Sequence, residues 1–112
     1  MSRHPRNFTA ANAAPVFAAL GDATRLSLLS RLCDGQPRSI AQLTEGTGLT
    51  RQGVTKHLAI LEDAQVITSE RVGRESRFAV HAATLTGAKC YLELASQQWD
   101  DAIGRLRRIV DE

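Results

Sequence analysis

Four side chains in the run from Thr50 to Asp63 are of types that read nucleic acid: Arg51, Gln52, Thr55 and Lys56, with Ala59 continuing their helical face. A guanidinium fork matches the acceptor edge of guanine, and a carboxamide pairs with adenine. Hydroxyl and ammonium groups reach bases or phosphates. The opposite face is apolar, because Val54, Leu58 and Leu61 recur at spacings of four and three, the pattern of a helix with one buried side. Every amphipathic helix has a solvated polar face, so this run by itself leaves the blander reading standing. The residues after it shift the balance. Val66 to Glu70 and Ser76 to Val80 read as two strands around a Val72-Gly73-Arg74 turn, with Val66, Ile67, Phe78 and Val80 at partly buried positions. Arg71, Arg74 and Arg77 flank the tip, where they could lie along phosphates or in a minor groove. Glu70 and Glu75 sit among them, and residues 51–77 hold five Arg/Lys against four Asp/Glu. The electrostatic drive of one chain is therefore modest, and a dimer doubles it.

These residues need elements to hold them. Upstream, Ser39 is a natural N-cap for a short helix carrying Ile40 and Leu43, and Gly46 and Gly48 bracket a turn. Leu49 is expected to plug the corner, and Thr50 to cap the next helix. Helix, turn, helix and β-wing, in that order, is an arrangement that sets one helix into a DNA major groove. Before it, Ala10 to Leu20 reads as a helix with Val16, Phe17 and Leu20 on its apolar face; Pro15 predicts either a start near Ala14 or a kink. Gly21 ends that helix and Asp22 caps a second, with Leu26, Leu28, Leu29, Leu32 and Cys33 as its apolar residues. Gly35 and Pro37 then separate it from the helix after Ser39. Arg25, near the start of the second helix, is expected to pair with Asp22 or the C-terminal region; a phosphate contact is the sharper alternative. Residues 1–9, with Arg3, His4 and Arg6, read as a flexible arm, and residues 10–112 as one domain.

The C-terminal stretch is the most regular. Leu85, Ala88, Leu92, Ala95, Trp99, Ala102, Leu106 and Ile109 recur at alternating spacings of three and four, a heptad-like seam. Tyr91, Leu94, Ile103 and Val110 widen it. A helix over about 83–110 is predicted, ~37 Å for 25 residues, longer than a domain of this size covers alone. A second copy of the same helix is the natural partner. Val16, Leu85, Leu92, Ala95, Trp99, Leu106 and Ile109 are the expected interface residues of a dimer made by the terminal helices.

The 112 residues and formal charge of +2 fit one small domain and tolerate, without demanding, a nucleic-acid partner. Apolar runs are far too short to cross a bilayer, and the N-terminus has no continuous hydrophobic region of the kind a secretory signal requires. A cytoplasmic location is expected by default. Cys33 and Cys90 sit beside apolar residues and are expected to pack as small hydrophobes. His57 falls at the edge of the buried face, within reach of a phosphate, and His81 closes the last strand, where a structural hydrogen bond is expected. No nucleophile–base pair, carboxylate pair or phosphate loop assembles by spacing, and Gly46-Thr47-Gly48 is too short for a nucleotide fingerprint. Neither an enzyme nor a cofactor is expected.

VFAALGDATRLSLLSRLCDG together with residues 39–81 resembles the ArsR/SmtB family of small bacterial winged-helix repressors. The likeness rests on Ala19-Leu20-Gly21-Asp22 leading to Thr24-Arg25-Leu26, on Val54 to Leu61, and on the wing strands; it covers roughly residues 15–81. The resemblance implies a mainly α fold with a small β-hairpin, and a homodimeric, sequence-specific DNA-binding regulator, a repressor, acting on an imperfect palindrome. Its recognition helix matches Thr50 to Asp63. Many members sense metals through cysteines in the first helix of the DNA-binding motif or through histidines and acids near the C-terminal helix. Here residues 38–43 contain no thiol, the C-terminal helix has no histidine, and Glu93, Asp100 and Asp101 lack nitrogen or sulfur partners, so no metal is expected. Some relatives use a cysteine from each of the second and C-terminal helices as a thiol or persulfide switch, the alternative role for Cys33 and Cys90. An effector is left open: Tyr91 to Trp99 could border a small pocket of unassigned content.

Overall fold

Four side-chain caps divide the N-terminal half of the chain into its helices. Thr9 accepts from the Asn12 amide, Asp22 from Arg25 (3.0 Å), and Thr50 from Gly53 (3.0 Å). Ser39 accepts from Gln42 while the Gln42 side chain accepts from the Ser39 amide at 2.9 Å, a reciprocal capping box. The computed structural model describes residues 8–111. Its elements are α1 (Ala10–Leu20), α2 (Ala23–Leu32), β1 (Arg38–Ser39), α3 (Ile40–Thr44), α4 (Arg51–Asp63), β2 (Ile67–Val72), β3 (Glu75–Val80) and α5 (Ala82–Asp111).

Helix α1 starts at Ala10 rather than near Ala14, because the Thr9 cap holds a full first turn ahead of Pro15. Ala11, whose carbonyl loses the amide that proline lacks, is exposed, so solvent can serve it. Phe8 and Thr9, assigned from sequence to the arm, belong to the folded unit: the Phe8 ring lies 6.5 Å from Tyr91, which also meets Phe17 at 6.0 Å. Arg3, His4 and Arg6 of the expected arm lie outside the described residues.

The core joins Leu28 and Leu32 of α2, Leu43 of α3, Val54, Leu58 and Leu61 of α4, Val66 just before β2, and Ile67 and Phe78 of the sheet. Two α2 residues expected there, Leu26 and Cys33, are exposed. Leu26 stands ~200° around the helix from Leu28, and Cys33 is already the C-cap. Leu49 is exposed as well, and Leu43 fills the corner instead. The Gly46 to Gly48 turn, both glycines at positive φ, holds Leu49 out, with its amide bound to Thr47 Oγ1 at 3.0 Å. Arg31 reaches across from α2 to donate to the carbonyls of Leu43 (3.1 Å) and Glu45 (2.6 Å), closing the C-terminal end of α3.

The sheet is antiparallel, in the order β1-β3-β2. Strand β1 pairs Arg38 with Phe78 and Ser39 with Arg77, and was not anticipated, since two residues carry no periodicity. Arg38 pins it, donating to both carboxylate oxygens of Asp34 (2.9 and 2.8 Å) and to the Arg31 carbonyl (2.6 Å). That guanidinium, with the Gln36 amide, drives the Asp34 carboxyl well below the usual carboxylate range. Gly73, at φ +65, is the first residue of the two-residue wing turn, where positive φ follows the strand twist.

Helix α4 ends in a Schellman motif: the Gln65 amide donates to Glu62 and the Val66 amide to Leu61, with Leu61 and Val66 fully buried against each other's turn. Gln65 takes φ +63, a position that suits glycine. His81 Nδ1 lies 2.9 Å from the Gln65 carbonyl and 3.1 Å from Thr84 Oγ1, so it joins the end of α4 to the start of α5. The left-handed backbone costs an L-residue roughly 1–2 kcal/mol, and the extra unfolded-state freedom of glycine offsets about 0.5–1 kcal/mol of that. Gln65→Gly is therefore expected to stabilise the chain by about 0.5–1 kcal/mol in urea denaturation; a clear loss of stability would mean that the glutamine side chain holds the motif.

Candidate nucleic-acid interface

With Val54, Leu58 and Leu61 at 1% exposure or less, helix α4 has one fully buried face, and its polar residues face outward. Arg51, Gln52, Thr55 and Lys56 are all exposed and line one open groove together with Ile40 from the start of α3. Thr55 Oγ1 donates to the Arg51 carbonyl at 2.7 Å, which leaves its oxygen as an acceptor and its methyl group as an apolar contact. Glu62 accepts from Ser69 of β2 at 2.7 Å, so an acid at the far end of α4 is tied to the root of the wing. Ile60, 44% exposed, was not singled out from sequence. It lies off the buried stripe, a position readable from spacing alone.

His57 does not join that set. It is half-buried at the other edge of α4, with Nδ1 3.3 Å from Arg25 Nη1. Arg25 itself departs from its expected pairing: Asp22 accepts from the Arg25 backbone amide, while the Arg25 Nε donates to the Ala19 carbonyl at 2.6 Å. The Arg25 amide and, next, burial and the guanidinium charge act on Asp22, with a net lowering of its carboxyl below the ordinary range.

The three wing arginines do not share a face. Directly opposed pairs such as Ser69 with Phe78 and Arg71 with Ser76 lie on the side that carries the buried Ile67 and Phe78, since strand side chains alternate. Arg77 opposes Glu70 on the other side and is bonded to Glu75 at 3.1 Å. Arg74 occupies the turn. Arg71 and Arg74 are exposed and, among the described residues, make no side-chain hydrogen bond, whereas Arg77 is partly spent on an acid.

On α5, Leu92 (45%), Trp99 (60%), Leu106 (61%) and Ile109 (68%) are exposed, as are Leu94, Ile103 and Val110. Ala95 is half-buried. Two expected interface residues are placed differently: Val16 is buried in the chain's own core, and Leu85 packs against it. The reason is that α1 packs against α5, whose root holds the buried Thr84, Gly87 and Ala88. Cys33 and Cys90 are both free and exposed, against the expectation of core packing. Cys33 lies beyond the last buried turn of α2, and Cys90 is about 160° around α5 from Ala88–Leu106. Among the described residues, no three His, Cys, Asp or Glu side chains come together to hold a metal ion, and no helix is long and apolar enough to cross a membrane.

A helix-turn-helix domain family matches residues 20–70. A helix-turn-helix-type transcriptional regulator of Bacillus subtilis strain 168 is 38% identical over 65 residues, covering 53% of this chain and 71% of the relative. An arsenical resistance operon repressor from the same organism is 34% identical over 71 residues, covering 63% of this chain and 68% of the relative. Among solved structures, an ArsR-like transcriptional regulator from Rhodococcus sp. RHA1 superposes with a TM-score of 0.71 at 33% identity, over 88% of this chain and 92% of that one. A helix-turn-helix with a β-wing, matched in sequence and in fold over these spans, makes the chain a member of the ArsR family of winged helix-turn-helix transcriptional regulators.

Proposed function

We propose that this chain is a homodimeric repressor that binds an imperfect palindrome in double-stranded DNA, with α4 in the major groove and the β2–β3 hairpin on the backbone or in a minor groove. The observation that carries the reading is the outward set Arg51, Gln52, Thr55 and Lys56 on a helix whose other face is fully buried. The N-terminal residues of a recognition helix contact base edges, and this set occupies the first two turns of α4. The wing adds backbone contacts through Arg71 and Arg74, and less through Arg77. Arg51→Ala is expected to cost about 1–3 kcal/mol and relax base preference, whereas Lys56→Ala weakens binding to all sequences alike. Arg71→Ala should lower the slope of log affinity against log salt by about 1, and Arg77→Ala by less. Gel shifts at several salt concentrations measure both effects; unchanged affinity in an Arg51→Ala/Gln52→Ala double variant would remove α4 from the groove.

Dimerisation supplies what one recognition helix lacks, since two helices ~34 Å apart read both half-sites at once. Helix α5 is 30 residues long, about 45 Å, with its distal half uncovered. Its seam alternates large with small: Leu85, Leu92, Trp99 and Leu106 against Ala88, Ala95 and Ala102, before Ile109. In an antiparallel pair these two positions face each other. Leu92 then meets the partner's Ala102 and Trp99 the partner's Ala95. A parallel pair stacks tryptophan on tryptophan and alanine on alanine, leaving uneven gaps. Phe17, Leu20, Leu85 and Leu92 also frame an open apolar groove at the root of α5, the end that an antiparallel partner's Leu106 reaches. Leu92→Asp is expected to give monomers in sedimentation and to abolish operator binding while circular dichroism stays helical. Burial of such a side chain is worth about 1.5–3 kcal/mol in each protomer. Tight operator binding by a monomeric wild-type chain would contradict the dimer.

A second reading follows from the exposure of both thiols. An external oxidant that takes two electrons and two protons from Cys33 and Cys90 would join them and alter DNA affinity. Oxidant-dependent release of DNA, lost in Cys33→Ser and in Cys90→Ser, is the expected signature; release that persists in both variants excludes it.

A further inference from the structure

Arg25 and His57 lie outside the residues that line the α4 groove, and behind it they are joined to each other. The Ala19 carbonyl lies in the last turn of α1, where no helical amide remains to serve it. Arg25 Nε fills that need at 2.6 Å, and Nη1 of the same guanidinium lies 3.3 Å from His57 Nδ1 in the middle of α4. The Arg25 backbone is itself fixed by the Asp22 cap at 3.0 Å. Both side chains are half-buried. A guanidinium has donors only, so Nδ1 is the acceptor and the ring proton sits on Nε2. One side chain therefore ties together the end of α1, the start of α2 and the recognition helix.

The apolar stripe of α4 decides which face is buried, but packing of Val54, Leu58 and Leu61 is not directional and tolerates small rotations. A hydrogen bond at the edge of the stripe is directional. A rotation of about 15° at a side-chain radius of roughly 6 Å moves an outward group by about 1.5 Å, enough to break a hydrogen bond to a base edge. We propose that Arg25 and His57 are positioning residues for DNA reading: their contact sets the rotation of α4, and with it the sequence discrimination of Arg51 and Gln52. The inference rests on the DNA-binding reading above.

Two measurements on the full chain test it. Imidazole 15N NMR of the free protein reports the tautomer without any DNA; wild type should show an unprotonated His57 Nδ1, and Arg25→Met should lose that preference. Affinities for a duplex selected by the wild type from a random pool, and for its scrambled counterpart, report discrimination. His57→Leu should reduce the ratio of the two affinities about tenfold, the loss of one charge-assisted hydrogen bond, with scrambled-duplex binding unchanged. His57→Asn, which keeps an acceptor near the Nδ1 position, should recover most of the ratio. Equal discrimination by the Leu and Asn variants, or a protonated Nδ1 in the wild type, overturns the positioning role and leaves DNA binding intact. A wild type that selects no duplex overturns the DNA-binding reading and this inference with it. Should His57→Leu fail to fold, the tautomer in Arg25→Met and the Asn variant still decide.

Discussion

Burial of the Val54, Leu58 and Leu61 stripe is the constraint from which the remaining arrangement follows. Each of these side chains is at 1% exposure or less, and burying one is worth about 1.5–3 kcal/mol. No other rotation of α4 saves that burial, so the polar residues on the far side are turned out together. The same stripe is the meeting point for α2, α3 and the sheet, through Leu28, Leu32, Leu43 and Ile67. Elements brought in to cover α4 are thereby set in place around it: α3 across its N-terminal end, where Ile40 borders the groove, and the wing beyond its C-terminal end.

Positive charge in the first half of the domain is largely spent on backbone carbonyls. Arg25 serves Ala19, Arg31 serves Leu43 and Glu45, and Arg38 serves Arg31 and Gln36. Short helices leave many carbonyls without helical partners, and an unserved buried carbonyl costs more than a surface ion pair returns. Long arginine side chains reach these groups from a neighbouring element, and so lock helix ends to one another. Arg51 and Lys56 of α4 and Arg71 and Arg74 of the wing are left outward, as are Lys89, Arg105, Arg107 and Arg108 on α5. The arginines of the first half are thus structural, and the cations of α4 and the wing stay free of that task.

Helix α5 answers a different demand. Its root closes the core through Ala88 and Leu85, while the distal half carries Trp99, Leu106 and Ile109 into solvent. Among the described residues, no other element covers that distal half. In the proposed dimer, a second, oppositely directed copy fits the regular exchange of large and small side chains along the seam.

Most of the architecture was legible in the residues themselves. Caps at Asp22, Ser39 and Thr50, glycine stops, and the three-four spacing of α4 and α5 are local signals, since caps and helical periodicity act within a few residues. They set element order, the wing, the outward set on α4 and the length of the last helix. What only the tertiary structure decided depends on which distant group lies opposite. Leu49 and Cys33 are apolar by type but fall where no element covers them, whereas Val16 is covered by its own chain rather than by a partner. His57 bonds to Arg25, thirty-two positions away in sequence, and the wing arginines divide between two faces through a register that hydrophobic pattern alone does not number. Strand β1 exists because Arg38 is tied to Asp34 and Arg31. Local sequence determines where helices begin, end and bury a face; the pairing of polar side chains across the fold is settled by packing, because a hydrogen bond needs its partner within about 3 Å and in line.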